Sequence, residues 1–152
     1  MQGARASEAL GIRATRVGLG LAWRWGRACW GASDALAPCT VYSENHIDFQ
    51  TRFALGSSRI PPSFDRFIVD LAAALKTEPS IAIDISGHTD VSGGDDINVP
   101  LSVERALSVA NRLVELGIDP TRLRAVGHAS TRLCYPDAPR HPGNRRVTIA
   151  RR

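Results

Sequence analysis

The chain is poor in several residues that would otherwise narrow its function. Of its 19 basic residues only Lys76 is a lysine, and the 152 residues include one methionine, two tyrosines and three cysteines. Three cysteines, Cys29, Cys39 and Cys134, leave one over in any pairing, and a chain of this length can bury a core without a disulfide framework. No apolar run is long enough to cross a bilayer as a helix. The longest, Val17 to Trp23, ends at Arg24, and a span needs about 20 residues. Arg13, Arg16 and Ala35-Leu36-Ala37 have the flavour of a signal peptide, but Arg24 and Arg27 break its apolar segment. The formal charge of +4 is concentrated in residues 1–40, where five arginines face only Glu8 and Asp34. The remainder is nearly neutral, which argues against a broad nucleic-acid footprint. The histidines and cysteines show no metal-ligand spacing, so no metal and no cofactor are expected. Gly93-Gly94 is turn chemistry, because no Gly-Lys-Ser/Thr follows to make a phosphate loop.

What remains is a 40-residue head and a patterned body. Residues 1–40, rich in Gly, Ala, Arg and Trp, show no strand alternation and read as a leader, linker or poorly ordered arm. From residue 41 to 152 the pattern is that of one domain. Ile47, Phe49, Thr51, Phe53 and Leu55 alternate with polar or small residues, the period of a half-buried strand. Pro61-Pro62 suits a helix entrance, and Phe64, Phe67, Ile68, Leu71, Ala72 and Leu75 form an amphipathic stripe that Pro79 stops. Ile81, Ile83 and Ile85 alternate up to Gly87, giving a second strand. A polar loop from Val91 to Ile97 leads to a second helical stripe, Leu101 to Leu116, with Gly117 placed for a left-handed C′ residue. Leu123–Val126 and Val147–Ile149 supply two further strands. The order β-α-β-α-β-β predicts an α/β two-layer sandwich, one mixed sheet covered by two helices.

Residue types able to do chemistry gather between the second strand and the second helix. They are Gly87-His88-Thr89-Asp90, then Asn98, Ser102 and Arg105. Strand ends that feed helix starts collect ligand sites, since side chains converge there from two elements. Asp90 and Arg105 form an opposite-charge pair that suits a zwitterion, the carboxylate taking an ammonium and the guanidinium a carboxylate. The same pair also suits a plain loop salt bridge. Ser102 with His88 and Asp90 makes no convincing nucleophile triad, and Ser102 reads more simply as a helix N-terminal cap.

These residues, at their spacing, resemble the core signature of the OmpA-like peptidoglycan-binding domain. Gly87-His88-Thr89-Asp90, Gly93, Asn98, Leu101-Ser102 and Arg105-Ala106 carry the likeness. Phe53-Ala54-Leu55-Gly56-Ser57 upstream extends it, as do Leu116-Gly117-Ile118, Val126-Gly127 and Asn144-Arg145-Arg146-Val147 downstream. It covers about residues 45 to 150. The resemblance implies a non-enzymatic module that binds the diaminopimelate residue of the peptidoglycan stem peptide in the Gram-negative envelope, at the periplasm or outer membrane. By position, Asp90 would hold the amino group and Arg105 the carboxylate. Asn98 would shape the loop, Thr89 would belong to the same binding set, and Arg146 would line or brace the site. A scaffolding domain for another envelope protein, with Asp90 and Arg105 as a structural pair, is the alternative. The chain departs from the family pattern at Ala54, where many relatives have Asp, and at Gly127-His128-Ala129-Ser130, where relatives often read Gly-x-Gly-Glu.

Overall fold

The computed structural model describes the backbone of residues 12–16, 21–25 and 46–49 and the whole of residues 53–152. Ile12–Arg16 (β1) and Leu21–Trp25 (β2) pair antiparallel, with Ile12 opposite Trp25 and Arg16 opposite Leu21. This corrects the expectation of no strand in the head. Trp23 and Trp25 alternate with Ala22 and Arg24, and aromatic residues favour strands even where arginines dilute the apolar pattern. The rest of residues 1–40 lies outside the described residues.

The body follows the expected order. The elements are β3 (His46–Phe49), α1 (Pro62–Thr77), β4 (Ile83–Gly87), α2 (Asp95–Glu115), β5 (Leu123–Gly127) and β6 (Val147–Arg151). The sheet order is β3-β6-β4-β5; β6 runs antiparallel to both neighbours and β5 parallel to β4. The sheet is therefore mixed, with β6 slotted between the two strands that flank α1 in sequence. The core joins Ile68 and Leu71 of α1, Val109 and Leu113 of α2, Ile83 and Ile85 of β4, and Val147 and Ile149 of β6. Phe67, from the same stripe, is partly buried against this core and stacks on Phe64 with ring centroids 5.8 Å apart.

Local chemistry sets the element ends. Pro62 occupies the first turn of α1, where a missing N–H costs nothing. Gly117 takes φ +94° after α2, and the amides of Gly117 and Ile118 donate back to the carbonyls of Val114 and Leu113. With Ile118 buried, this is a Schellman stop. Two expected boundaries shift. The first strand does not continue to Leu55: a turn closed by the Ser57 amide on the Ala54 carbonyl, with Gly56 at φ +65°, lifts the chain away and leaves Leu55 exposed. The second helix starts at Asp95, inside the expected loop, because Gly94 caps it and Asp95 and Asp96 favour its positive end. Pro100 lies within its first turns.

One contact places α2 on the sheet. A Cβ on Gly87 would stand 1.9 Å from the Ser102 carbonyl oxygen, and one on Gly127 would stand 2.4 Å from Ser102 Oγ. Gly87 and Gly127 are register partners on β4 and β5, so the strand ends form a shallow seat for the helix backbone. Cys134 is buried and disulfide-bonded; Cys29 and Cys39 lie outside the described residues.

Two substitutions test this packing. Leu71→Ala should lose about 2–5 kcal/mol in urea unfolding, the usual range for a fully buried leucine. Gly87→Ala should lose at least about 1–3 kcal/mol, the cost of overpacking, because its obstacle is backbone and cannot rotate aside. A neutral Gly87→Ala would show that α2 does not ride on the strand ends.

Candidate functional site

The site forms where β4 ends. His88, Thr89 and Asp90 continue the chain beyond Gly87, held by the His88 amide on the Arg146 carbonyl and the Thr89 amide on the Ala129 carbonyl, each at 2.9 Å. All three side chains are buried, with Asp90 3% exposed. Asn98, in the first turns of α2, donates from Nδ2 to the carbonyls of Asp90 (3.1 Å) and Gly93 (2.7 Å). The loop that carries Asp90 is thus closed onto the helix by one amide.

Asp90 and Arg105 do not pair directly. Asp90 Oδ2 accepts from Arg145 Nη1 at 2.8 Å, and Oδ1 accepts from the Ser92 amide at 2.8 Å. Burial raises the Asp90 pKa, but the hydrogen bonds from Arg145 and Ser92 outweigh it and hold the carboxyl below its ordinary value. Arg105 is completely buried. Its Nε donates to the Ser57 carbonyl (2.9 Å), Nη1 to the His88 carbonyl (2.9 Å) and Nη2 to the Ala54 carbonyl (3.2 Å). Its guanidinium carbon lies 5.0 Å from the centre of the Phe53 ring, a cation–π distance. Burial first, then the neighbouring Arg145, push its pKa down to about 10, with Asp90 partly opposing, so it stays charged at neutral pH.

The arginine beside Asp90 is Arg145, not Arg146. Arg145 also donates from Nε to the Phe53 carbonyl at 2.8 Å, while the Phe53 amide donates to the Arg145 carbonyl. Arg146 points elsewhere, donating from Nη2 to the Arg132 carbonyl at 3.1 Å. The signal that could have separated them is strand alternation. Neighbours just before β6 point to opposite faces, and only one of them can reach the end of β4. Thr89 Oγ1 is buried with no hydrogen-bond partner among the described residues. Ser102, expected to cap the helix, lies inside α2 instead. Its Oγ donates to the Val99 carbonyl and accepts from the Ala129 amide, which removes it as a nucleophile.

The far rim is made by residues 127–130. Ala129 has φ +48°, a left-handed conformation that costs a residue with a Cβ about 1–2 kcal/mol. Ala129→Gly should therefore raise stability by about 0.5–1 kcal/mol in urea unfolding, after the added chain entropy of glycine is subtracted. His128 stacks on His88 with ring centroids 5.3 Å apart, and burial, with Arg132 and Arg146 adding to it, lowers its pKa.

Both shifts predict lower stability in acid. The unfolded chain protonates His128 near pH 6.5 before the folded one does, so stability starts to fall there. The Asp90 contribution is present above the ordinary carboxylate pKa of about 4 and is lost as pH falls through its lower folded value. His128→Gln should flatten the first part of the urea-unfolding pH profile and Asp90→Asn the second. Unchanged profiles would show that neither environment is as described.

Comparison with known proteins places this geometry. A model of the OmpA family matches residues 52–146, a stretch that holds every site residue named above. The chain is similar to the probable lipoprotein YiaD of Escherichia coli, 35% identical over 107 residues covering 69% of this chain and 47% of that protein. It is also similar to the peptidoglycan-binding protein ArfA of Mycobacterium tuberculosis, 37% identical over 75 residues covering 49% of this chain and 23% of that one. The chain thus spans less than half the length of these curated relatives. Among solved structures, the OmpA-like domain of FopA1 from Francisella tularensis shares the fold with a TM-score of 0.62 at 21% identity, over 68% of this chain and 69% of that one. The peptidoglycan-associated lipoprotein of Burkholderia pseudomallei does so with a TM-score of 0.60 at 24% identity, over 71% and 90%. With more than half of its residues matched by the family model and the fold shared, the chain belongs to the OmpA family.

Proposed function

We propose that this domain binds peptidoglycan without covalent chemistry, through the diaminopimelate residue of the stem peptide, and so holds an envelope protein to the cell wall in the periplasm or at the outer membrane. The observation that carries the reading is that one strand end, within the stretch that the family model matches, gathers a buried carboxylate, Asp90, and a buried guanidinium, Arg105, which donates to the His88 carbonyl two residues before Asp90. A relative whose name records peptidoglycan binding, ArfA, supports it.

The groups have capacity left for a zwitterion. A carboxylate offers about four lone-pair sites, and Asp90 uses two. A guanidinium has five N–H donors, and Arg105 spends three on carbonyls. An incoming ammonium would take the place of Arg145 on Asp90, and the ligand's carboxylate would meet the two remaining N–H groups of Arg105. Thr89 Oγ1, buried without a partner among the described residues, lies next to Asp90 in the chain and would gain one from the ligand. Arg146 would brace the far wall through the Arg132 carbonyl.

The test is sedimentation with purified sacculi, with and without free diaminopimelate as competitor. The parent chain should pellet and be displaced by the amino acid. Asp90→Ala should weaken binding by at least about thirtyfold, the loss typical when one member of a desolvated charge pair is removed. Arg105→Ala risks unfolding, since it strips three carbonyls of their donor, so Arg105→Lys with a circular-dichroism check is the paired variant. Exchange of the exposed Lys76 should change nothing. If Asp90→Ala pellets like the parent, the ligand assignment fails and a scaffolding role takes its place.

A further inference from the structure

An open cavity of about 340 Å³ adjoins the Asp90–Arg145 pair, with Phe53, Ala54, Arg59, Pro62 and Arg145 among its walls. Arg145 joins the two places, since it lines the cavity and also holds Asp90. Ala54 and Ser57 form one wall, and behind them their carbonyls accept from the buried Arg105. Among the described residues, Arg59 and Arg145 line the recess, Arg105 lies behind the Ala54–Ser57 wall, and the carboxylate they share is that of Asp90, bound to Arg145. No acidic residue is among the described residues lining it. Arg59 is exposed and has no ion-pair partner among the described residues. Pro61 and Pro62 fix the backbone just beyond it and line the recess too, so that wall is stiff.

A recess with surplus positive charge beside a zwitterion-binding pair suits a second anionic group on the same ligand. We infer that Arg59, together with Arg145, receives a second carboxylate of the stem peptide, the one on the residue joined to the amino side of diaminopimelate. The domain then discriminates peptides in which that carboxylate is free from those in which it is an amide. The inference rests on the peptidoglycan reading above. When the ligand's ammonium takes Asp90, Arg145 is released toward the recess it already lines.

Two synthetic tripeptides, alanyl-γ-glutamyl-diaminopimelate with every carboxylate free and the same peptide with the glutamate α-carboxylate amidated, separate the possibilities by calorimetric titration of the full chain. The free form should bind about fivefold tighter, the scale of a partly solvated guanidinium–carboxylate contact. Arg59→Gln should bring the free form down to the amidated one and leave the amidated one unchanged, whereas Arg59→Lys should keep part of the preference. Ala54→Asp, which puts a carboxylate into the recess, should reduce the preference as well. Equal binding of both peptides by the parent, or an equal loss for both in Arg59→Gln, overturns the inference while leaving the peptidoglycan reading in place. Failure of the parent to bind either peptide overturns that reading and the inference with it.

Discussion

A guanidinium removed from water has to find its hydrogen-bond partners inside the protein, and that requirement organises this domain. Arg105 finds them in two stretches of main chain, the turn holding Ala54 and Ser57 and the strand end at His88, separated from it by up to 51 residues. The turn after Phe53 and the end of β4 are thereby fixed relative to α2. The arrangement depends on how close α2 can come, and Gly87 and Gly127 set that distance by offering no side chain to the helix. Burying a charge is costly unless its donors are used, so the turn, the end of β4 and the arginine hold or fail together.

The preference for arginine over lysine acquires a physical meaning here. Several of the arginines make contacts that a lysine could not. Arg122 donates to the carbonyls of Leu75, Glu78 and Ile81, closing the C-terminal end of α1 onto the strand that follows. Arg145 reaches the Phe53 carbonyl and the Asp90 carboxylate from one planar fork, and Arg146 reaches the Arg132 carbonyl. A lysine ammonium is a point charge with no fixed fork to span two acceptors this way. The Arg112–Asp65 pair between the helices, partly exposed, adds little by comparison.

The sequence pattern conveyed the element order, the core isoleucines and the strand-end cluster, because each depends on local periodicity or on a short ordered motif. It did not convey who pairs with whom. Asp90 meets Arg145 across 55 residues, and no spacing rule links a loop carboxylate to the entrance of the last strand. Ser102 looked like a cap because its residue type favours caps. The close approach to Gly127 and the Ala129 amide buries it in mid-helix instead. Leu55 looked like a strand residue because alternation continues past the point where Gly56 turns the chain away. In each case a tertiary contact or a glycine conformation overrode a one-dimensional pattern.

Asn144 shows how a long irregular loop keeps its shape. Its Oδ1 accepts from the amides of Cys134 and Tyr135, and its Nδ2 donates to the carbonyls of Ala138 and Pro139. One side-chain amide thus satisfies four main-chain groups, and every one of those groups exists whatever side chains the loop carries. Descendants of this sequence can therefore drift in composition from Pro136 to Pro139, keeping the loop's course, so long as the asparagine that reads its backbone and the disulfide-bonded Cys134 remain and no proline replaces Tyr135.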